Sequence, residues 1–275
     1  MKEKLQKLLQ GKDTIAIIKL AGIINSQKGL NQGLCLDNIK NKLEEIFKLK
    51  NLKCLITIIN SPGGSPVQSE LIYNKLRFLC AKHNVELIAF VEDVAASGGY
   101  WIACAATKIY AAQNSVIGSI GVISASFGFE KAINKLGIER RVYTQGESKN
   151  ILDPFSPEKE QDIMILKNVQ KEIHDNFKNL VLISRENLNK NHLDEIFSGA
   201  FWGSKKALEY GLIDGIDSID DYIDKRFGKD IKVKNFTFPK SWLKAKLGLT
   251  INEIFSSFIL QVKESLFYEK TGSNY

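Results

Sequence analysis

Histidine is scarce in this chain: only three of the 275 residues are histidine, namely His83, His174 and His192. None stands at a spacing typical of metal ligands, and all three have charged or Lys/Asn-rich neighbours, which predicts surface roles. A Ser–His–Asp triad therefore has no convincing base in this sequence. A catalytic serine would need another partner, such as a lysine.

Cysteine is also rare and shows no metal-binding pattern. The four cysteines are Cys35, Cys54, Cys80 and Cys104, and none belongs to a Cys-x-x-Cys pair. This spacing argues against a zinc site and against a thiol redox motif. Because each cysteine has apolar neighbours, we expect buried, reduced thiols in a reducing compartment. We expect no metal and no cofactor.

Long apolar runs are missing as well. The N-terminal stretch MKEKLQKLLQGKD lacks the apolar centre and the small-residue cleavage site of a signal peptide. The stretch TIAIIKLAGII is too short to span a bilayer and is interrupted by Lys19, and no other run reaches about 18 apolar residues. We therefore expect no transmembrane segment and a location that is bacterial cytoplasmic or peripheral to the inner membrane.

No dense block of one charge is present. The chain has 38 Lys and Arg against 31 Asp and Glu, a formal net charge of +7, and the basic residues are spread along its length. This distribution predicts no nucleic-acid partner, although peripheral contact with an acidic membrane surface stays open. With 44% hydrophobic and 25% charged residues, the composition is typical of a folded protein rather than a disordered one.

What the sequence does contain is an alternation of strand and helix patterns. Short apolar, β-branched runs predict strands at 14–24, 52–60, 85–91, 108–112 and 139–144. Helical spacing predicts helices at 34–49, 70–82 and 100–107, and a long helix with Ser156 as N-cap and Pro157 in its first turn. The alternation indicates an α/β fold with a largely parallel sheet and flanking helices. Residues 236–275 change character, with an amphipathic helix at 250–268, so we predict a main domain at 1–235 and a C-terminal helical extension at 236–275.

Ser97 lies where a predicted strand gives way to a helix, in the stretch VEDVAASGGYW. The simpler interpretation is an N-cap whose hydroxyl binds a free helix N–H. The alternative is a nucleophile, because the first turn of a helix supplies unpaired N–H groups and a dipole that favours negative charge. Gly98 and Gly99 would keep access to such a nucleophile open. The stretch is not Gly-x-Ser-x-Gly, so it does not indicate the nucleophile elbow of α/β-hydrolases.

A second glycine turn, NSPGGS, follows the predicted strand at 52–60. Pro62 fixes one backbone angle, while Gly63 and Gly64 can adopt a positive φ. Such a turn can aim N–H groups at a developing oxyanion, or it can simply end a strand. A base could be one of many lysines, and Lys149, in the loop after the predicted strand at 139–144, is one of them.

Taken together, four segments in order resemble the signal peptide peptidase A family of serine–lysine proteases, peptidase family S49. The segments are NSPGGS, VEDVAASGGYWIACAA, GSIGV and GESKNILDPFSP. The resemblance extends over about residues 15–217 and implies the ClpP/crotonase-like fold. It implies Ser97 as nucleophile, Lys149 as general base and Ser119 as the residue that orients the lysine. It further implies that Gly64 and Gly98, with Gly63 as a further candidate, form the oxyanion hole.

The resemblance also implies substrates and partners. We expect a serine endopeptidase that degrades remnant signal peptides or other membrane-associated peptides with short side chains at the cleaved position. We further expect a homo-oligomeric ring, in which a neighbouring subunit could supply the lysine. Members of the family usually carry an N-terminal membrane anchor, which is not recognisable here. Two alternatives are an acyl-CoA enzyme of the crotonase type, for which Glu92 and Asp93 are the nearby carboxylates, and a non-catalytic peptide-binding oligomer.

Overall fold

Eight strands form one mostly parallel sheet in the part of the chain that the computed structural model describes, residues 12–26, 33–228 and 230–236. The strands are β1 (Thr14–Ala21), β2 (Leu52–Ser61), β3 (Glu86–Ala96), β4 (Lys108–Ala111), β5 (Val116–Gly118), β6 (Phe201–Gly203), β7 (Gly215–Ile216) and β8 (Lys232–Phe236). The main order across the sheet is β6-β5-β3-β2-β1-β8, and β4 joins β3 to β7. Every pairing is parallel except that of β5 with β6.

Helices connect the strands, as a parallel sheet requires. They are α1 (Leu36–Phe47), α2 (Pro66–His83), α3 (Gly98–Ala103), α4 (Glu130–Lys135), α5 (Glu160–Ser184), α6 (Leu193–Ile196), α7 (Ser204–Glu209) and α8 (Ile219–Phe227). The prediction of an α/β fold with a largely parallel sheet and flanking helices is confirmed. Among the described residues, none of the helices combines the length and the apolar character of a membrane-spanning segment.

The central strands are buried on both faces, which explains their nearly continuous apolar sequences. Alternate residues of β1 belong to different clusters: Ile15 and Ile17 pack with α8, while Ile18 and Leu20 pack on the side of α1, α2 and α5. Full burial of each such side chain stabilises the fold by roughly 1.5–3 kcal/mol. The sheet is therefore a rigid base, and its carboxyl-terminal edge carries the candidate site.

The predicted burial of the cysteines is confirmed. All four are buried and free of disulfides. Burial raises the pKa of Cys54, Cys80 and Cys104 to about 12, so these thiols stay protonated and unreactive near neutral pH.

Residues 121–158, which we call the arm, differ from the sequence prediction. The predicted strand at 139–144 is wrong: these residues form no strand and are exposed, because no neighbouring strand of the described chain pairs with them. The predicted N-cap is also wrong. Helix α5 begins at Glu160, and the hydroxyl of Ser156 instead donates to the Asp153 carboxylate at 3.1 Å. The short helix predicted at 100–107 is present as α3, shifted toward the N-terminus.

The predicted C-terminal extension, 236–275, lies outside the described residues apart from Phe236, which ends β8. The domain boundary at 235 and the amphipathic helix at 250–268 therefore stay predictions.

Candidate active site

Ser97 links the last residue of β3 to the first residue of α3. It occupies the N-cap position, but its side chain makes no capping hydrogen bond. Its φ is 50° and its ψ is −123°, a conformation that residues with a side chain seldom adopt. Such a backbone costs about 1–3 kcal/mol and persists only where the surroundings hold it. The plain N-cap interpretation therefore does not describe this serine.

Two backbone hydrogen bonds hold Ser97 in place. Its N–H donates to the carbonyl of Gly118 in β5 at 2.9 Å, and its carbonyl accepts from the N–H of Trp101 at 3.0 Å. The first bond ties Ser97 to a neighbouring strand, and the second begins α3. Ser97 as a whole is half-buried at the edge of the sheet.

The two glycines after Ser97 allow close packing of α3. A Cβ atom on Gly98 would lie 2.3 Å from Oγ of Ser69, and one on Gly99 would lie 2.3 Å from the carbonyl oxygen of Ser61. Any larger residue would push α3 away from β2 and α2. Because Gly98 is the first residue of α3, its N–H has no acceptor within the helix and is available to an oxyanion.

The turn after β2 lies directly against this helix start. Gly63 has a φ of 105°, and a Cβ atom there would lie 2.8 Å from both the Gly98 nitrogen and the Ser97 Cβ. The sequence-predicted glycines of both turns are thus neighbours in space.

Gly64 is fixed by a bridge to the segment after β1. The carbonyl of Gly63 accepts from the Ile24 N–H, and the Ser65 N–H donates to the Ile24 carbonyl, both at 2.8 Å. In a parallel bridge of this kind, the N–H of Gly64 itself points away from Ile24. This N–H is therefore not used in the bridge to Ile24.

Ser119 is also brought to the site. It follows Gly118, whose partner across the sheet is Ala96, the residue before Ser97. Its φ is 52°, and its N–H donates to the carbonyl of Ala200 at 2.7 Å. The structure therefore places Ser97, Ser119 and the glycine turns together.

Lys149 is not joined to them within one chain. It lies in the arm with an exposed side chain, and no hydrogen bond connects it to Ser97 among the residues described. Its backbone N–H donates to the carbonyl of Gly146 at 3.1 Å.

Asp153 organises the arm next to Lys149. Its side chain is 3% exposed and accepts from Arg140 Nε at 2.8 Å, the Asn150 amide at 3.1 Å and the Phe155 N–H at 3.2 Å. Burial raises the pKa of Asp153, but these donors and the Ser156 hydroxyl outweigh it and hold the pKa below its usual value. The carboxylate is thus the centre of the loop that carries Lys149.

The sequence prediction was wrong about His174. This histidine is half-buried on α5, and its Nε2 lies 3.0 Å from the carbonyl oxygen of Ile120, the residue after Ser119. A signal was present in the sequence, because His174 precedes Phe177 by one helical turn and so shares its buried face. No cluster of three or more His, Cys, Asp or Glu that could hold a metal exists within the described ranges.

Comparison with known proteins identifies the family of the chain. The family model described as peptidase family S49 matches residues 81–233, more than half of the chain. The matched region includes Ser97, Ser119 and Lys149.

Several curated proteins are similar to this chain. The Na(+)/H(+) antiporter NhaA of Brucella melitensis is 45% identical over 221 residues, which are 80% of this chain and 30% of that protein. The chloroplastic serine protease SPPA of Arabidopsis thaliana is 30% identical over 77% of this chain and 32% of its own length. The putative signal peptide peptidase SppA of Enterococcus faecium is 29% identical over 77% of this chain and 63% of its own length. This chain thus spans less than a third of the first two proteins.

A solved structure shares the fold. It is a variant of the 1510-N membrane-bound stomatin-specific protease in complex with a substrate peptide, with a TM-score of 0.51 and 16% identity over 85% of this chain and 96% of that one. At this identity the likeness shows the fold alone, and it agrees with the predicted ClpP/crotonase-like architecture. From the match of the family model over residues 81–233, we conclude that the chain belongs to peptidase family S49.

Proposed function

We propose that this chain is a serine endopeptidase that uses a Ser–Lys dyad, with Ser97 as nucleophile and Lys149 as base. The observation that carries the proposal is the geometry at Ser97, whose hydroxyl is uncapped while Gly63 and Gly98 adjoin it. A serine at a helix start beside N–H groups meets the needs of acyl transfer.

The proposed reaction assigns a role to each of these residues. Lys149, neutral when it acts, accepts the Ser97 proton as Oγ forms a bond to the carbonyl carbon of the peptide. The carbonyl oxygen becomes an oxyanion that the N–H groups of Gly64 and Gly98 stabilise. The protonated lysine then gives its proton to the leaving amine as the C–N bond breaks. Water, deprotonated by Lys149, hydrolyses the acyl-enzyme and restores Ser97.

The proposed substrates are remnant signal peptides and other membrane-associated peptides. Support comes from the name of the Enterococcus relative, a putative signal peptide peptidase, and from family membership. A short side chain at the cleaved position is part of the same proposal.

We also propose that the working particle is a homo-oligomer in which a neighbouring subunit supplies Lys149. The arm supports this proposal because its apolar side chains lack cover in one chain: Leu136 is 72% exposed and Tyr143 is 89% exposed. The arm also has a groove of about 450 Å³ whose lining includes Ile133, Arg140 and Phe155. Exposed apolar surface of this kind is typical of protein–protein contacts.

The alternative acyl-CoA chemistry has less support. Its candidate carboxylates are already engaged: Glu92 forms an ion pair with Lys19, and Asp93 accepts from the Asn60 amide at 2.6 Å.

Covalent labelling tests the proposal. The chain is treated with a fluorophosphonate probe, and the labelled residue is identified by mass spectrometry. We expect labelling at Ser97 in the wild type, none in Ser97→Ala, and labelling slower by about 100-fold or more in Lys149→Ala. Lys131→Ala, which removes another exposed lysine of the arm, serves as the matched control and keeps the wild-type rate.

Wild-type labelling in Lys149→Ala would contradict the dyad. Thioester turnover without labelling would favour the acyl-CoA enzyme. The absence of both labelling and turnover would favour a non-catalytic peptide-binding oligomer.

A further inference from the structure

Helix α5 contacts both parts of the candidate site from one face. Phe177 stacks on Trp101 of α3 with ring centroids 4.8 Å apart, and His174, one turn earlier, reaches the carbonyl of Ile120 at 3.0 Å. Phe177 is 2% exposed and Trp101 is 6% exposed, so the contact with α3 is a buried one. The helix that follows Ser97 and the turn that contains Ser119 thus both pack against α5.

The turn at Ser119 needs that support. Ser119 has a positive φ, and its carbonyl accepts from the Gly121 N–H at 3.0 Å, which makes a tight turn centred on Ile120. The Ser119 N–H is held by Ala200, on the β6 side. On the other side, Ile120 is fully buried, and the bond from His174 reaches its carbonyl. A strained turn of this kind keeps its shape only while such contacts persist.

We propose that His174 is a positioning residue of the peptidase, which holds Ser119 in place through the Ile120 carbonyl. The inference rests on the proposed function, in which Ser119 orients Lys149. His174 does not touch the reacting atoms. To donate a hydrogen bond to this carbonyl, Nε2 must carry a proton. It does so in the imidazolium and in the neutral tautomer that is protonated at Nε2.

The position of α5 in the chain strengthens the role. The arm that carries Lys149 runs into α5 at Glu160, and the same helix contacts Ile120, the residue after Ser119, so α5 connects the arm of a subunit to the Ser119 turn of the same subunit. Loss of the His174 bond would let the Ser119 turn relax without removing any group from the dyad. The expected consequence is slower chemistry with little change in substrate binding.

A double-mutant cycle tests the inference on the full chain. We would measure the rate of Ser97 labelling by a fluorophosphonate at saturating concentration, together with kcat and KM for a signal-peptide-like substrate. The proteins compared are the wild type, His174→Leu, Ser119→Ala and the double variant. We expect His174→Leu to lower kcat and the labelling rate by about 10-fold while KM changes by less than about 2-fold. In the Ser119→Ala background, the same substitution should change kcat and the labelling rate by less than about 2-fold. His174→Gln, whose amide nitrogen takes the place of Nε2, restores most of the rate. His83→Leu, at an exposed histidine at the end of α2, is the control and changes nothing.

The outcomes separate the two claims. If the wild type is not labelled, the proposed function fails and the inference fails with it. If the wild type is labelled and His174→Leu keeps its rate, only the inference is overturned. An equal loss in the presence and absence of Ser119 would also overturn it, because a general loss of structure acts in both backgrounds.

Discussion

Ser97 and Ser119 leave neighbouring parallel strands side by side, and both have a φ close to +50°. Ala96 and Gly118, the residues before them, are partners across the sheet, and the Ser97 N–H donates to the Gly118 carbonyl. Each of these conformations raises the free energy of the fold, so both persist only because surrounding contacts hold them in place. This pairing explains why the site forms at the junction of β3 and β5.

The close approach of Gly63 to Ser97 gives the first prediction. Gly63→Ala should lower kcat by about 100-fold, because the new Cβ would collide with the Gly98 nitrogen and displace an oxyanion donor. The control is Gly228→Ala, which also has a positive φ but has open space around its Cβ position. It should destabilise the fold by about 1–2 kcal/mol and leave kcat unchanged. Equal kcat values for the two variants would contradict the proposed oxyanion hole.

The separation of Lys149 from Ser97 within one chain gives the second prediction. Ser97→Ala and Lys149→Ala should each be inactive, and a mixture that is allowed to exchange subunits should regain activity. At a 1:1 ratio, random mixing gives about a quarter of the sites one intact serine and one intact lysine. The measurement is peptide cleavage before and after exchange, with each variant alone as control. A mixture that stays inactive while native mass spectrometry shows oligomers that contain both variants would mean that the base acts within its own chain.

Asp153 gives a third prediction, which concerns pH. Because its folded-state pKa is lowered, its contribution to the order of the arm is present above the usual carboxyl pKa and is lost as the pH falls through the lowered value. The protection factors of residues 140–156 against hydrogen exchange, which are corrected for the intrinsic pH dependence, should therefore fall at acid pH. In Asp153→Asn the protection should already be weak at neutral pH, and Lys149-dependent labelling should fall by about 10-fold.

The control for Asp153 lies in the same arm. Glu139→Gln breaks an exposed pair with Arg141 and should alter neither exchange nor labelling. If Asp153→Asn behaves like Glu139→Gln, then Asp153 does not organise the loop that carries Lys149.

Much of the fold could be predicted because its signals are local. Runs such as LKCLITIIN are rich in β-branched residues and end at glycine turns, which is enough to predict a buried strand and the position of the turn. Local signals left Ser97 open between an N-cap and a nucleophile and left the glycine turn open between an oxyanion hole and a strand end, and the resemblance to the family selected these residues as a site. The conformation of the arm could not be predicted in this way. Its strand-like residues Val142 and Tyr143 have no partner strand among the described residues, and pairing is not encoded in the residues themselves. His174 was missed because its partner is a backbone carbonyl 54 positions earlier.

A buried ion pair near α3, the helix that follows Ser97, gives the last prediction. Arg185, after α5, contacts Asp214 at 2.7 Å, with side chains 3% and 9% exposed, and its Nε donates to the Gly211 carbonyl at 3.2 Å. In the same loop, the Leu212 carbonyl accepts a hydrogen bond from the hydroxyl of Tyr100 in α3 at 2.7 Å. The pair thus fixes the surface against which the helix after Ser97 rests.

Asp214→Ala should destabilise the fold by about 3–5 kcal/mol, because it leaves the Arg185 guanidinium buried without its counter-charge. The expected loss in melting temperature is about 10 °C. Glu209→Gln, which breaks an exposed pair with Lys206, is the control and should leave the melting temperature unchanged. The double variant Arg185→Met/Asp214→Leu should recover part of the loss, since removing both charges also removes the desolvation cost. A melting temperature for Asp214→Ala equal to that of Glu209→Gln would show that the pair does not stabilise the loop beneath α3.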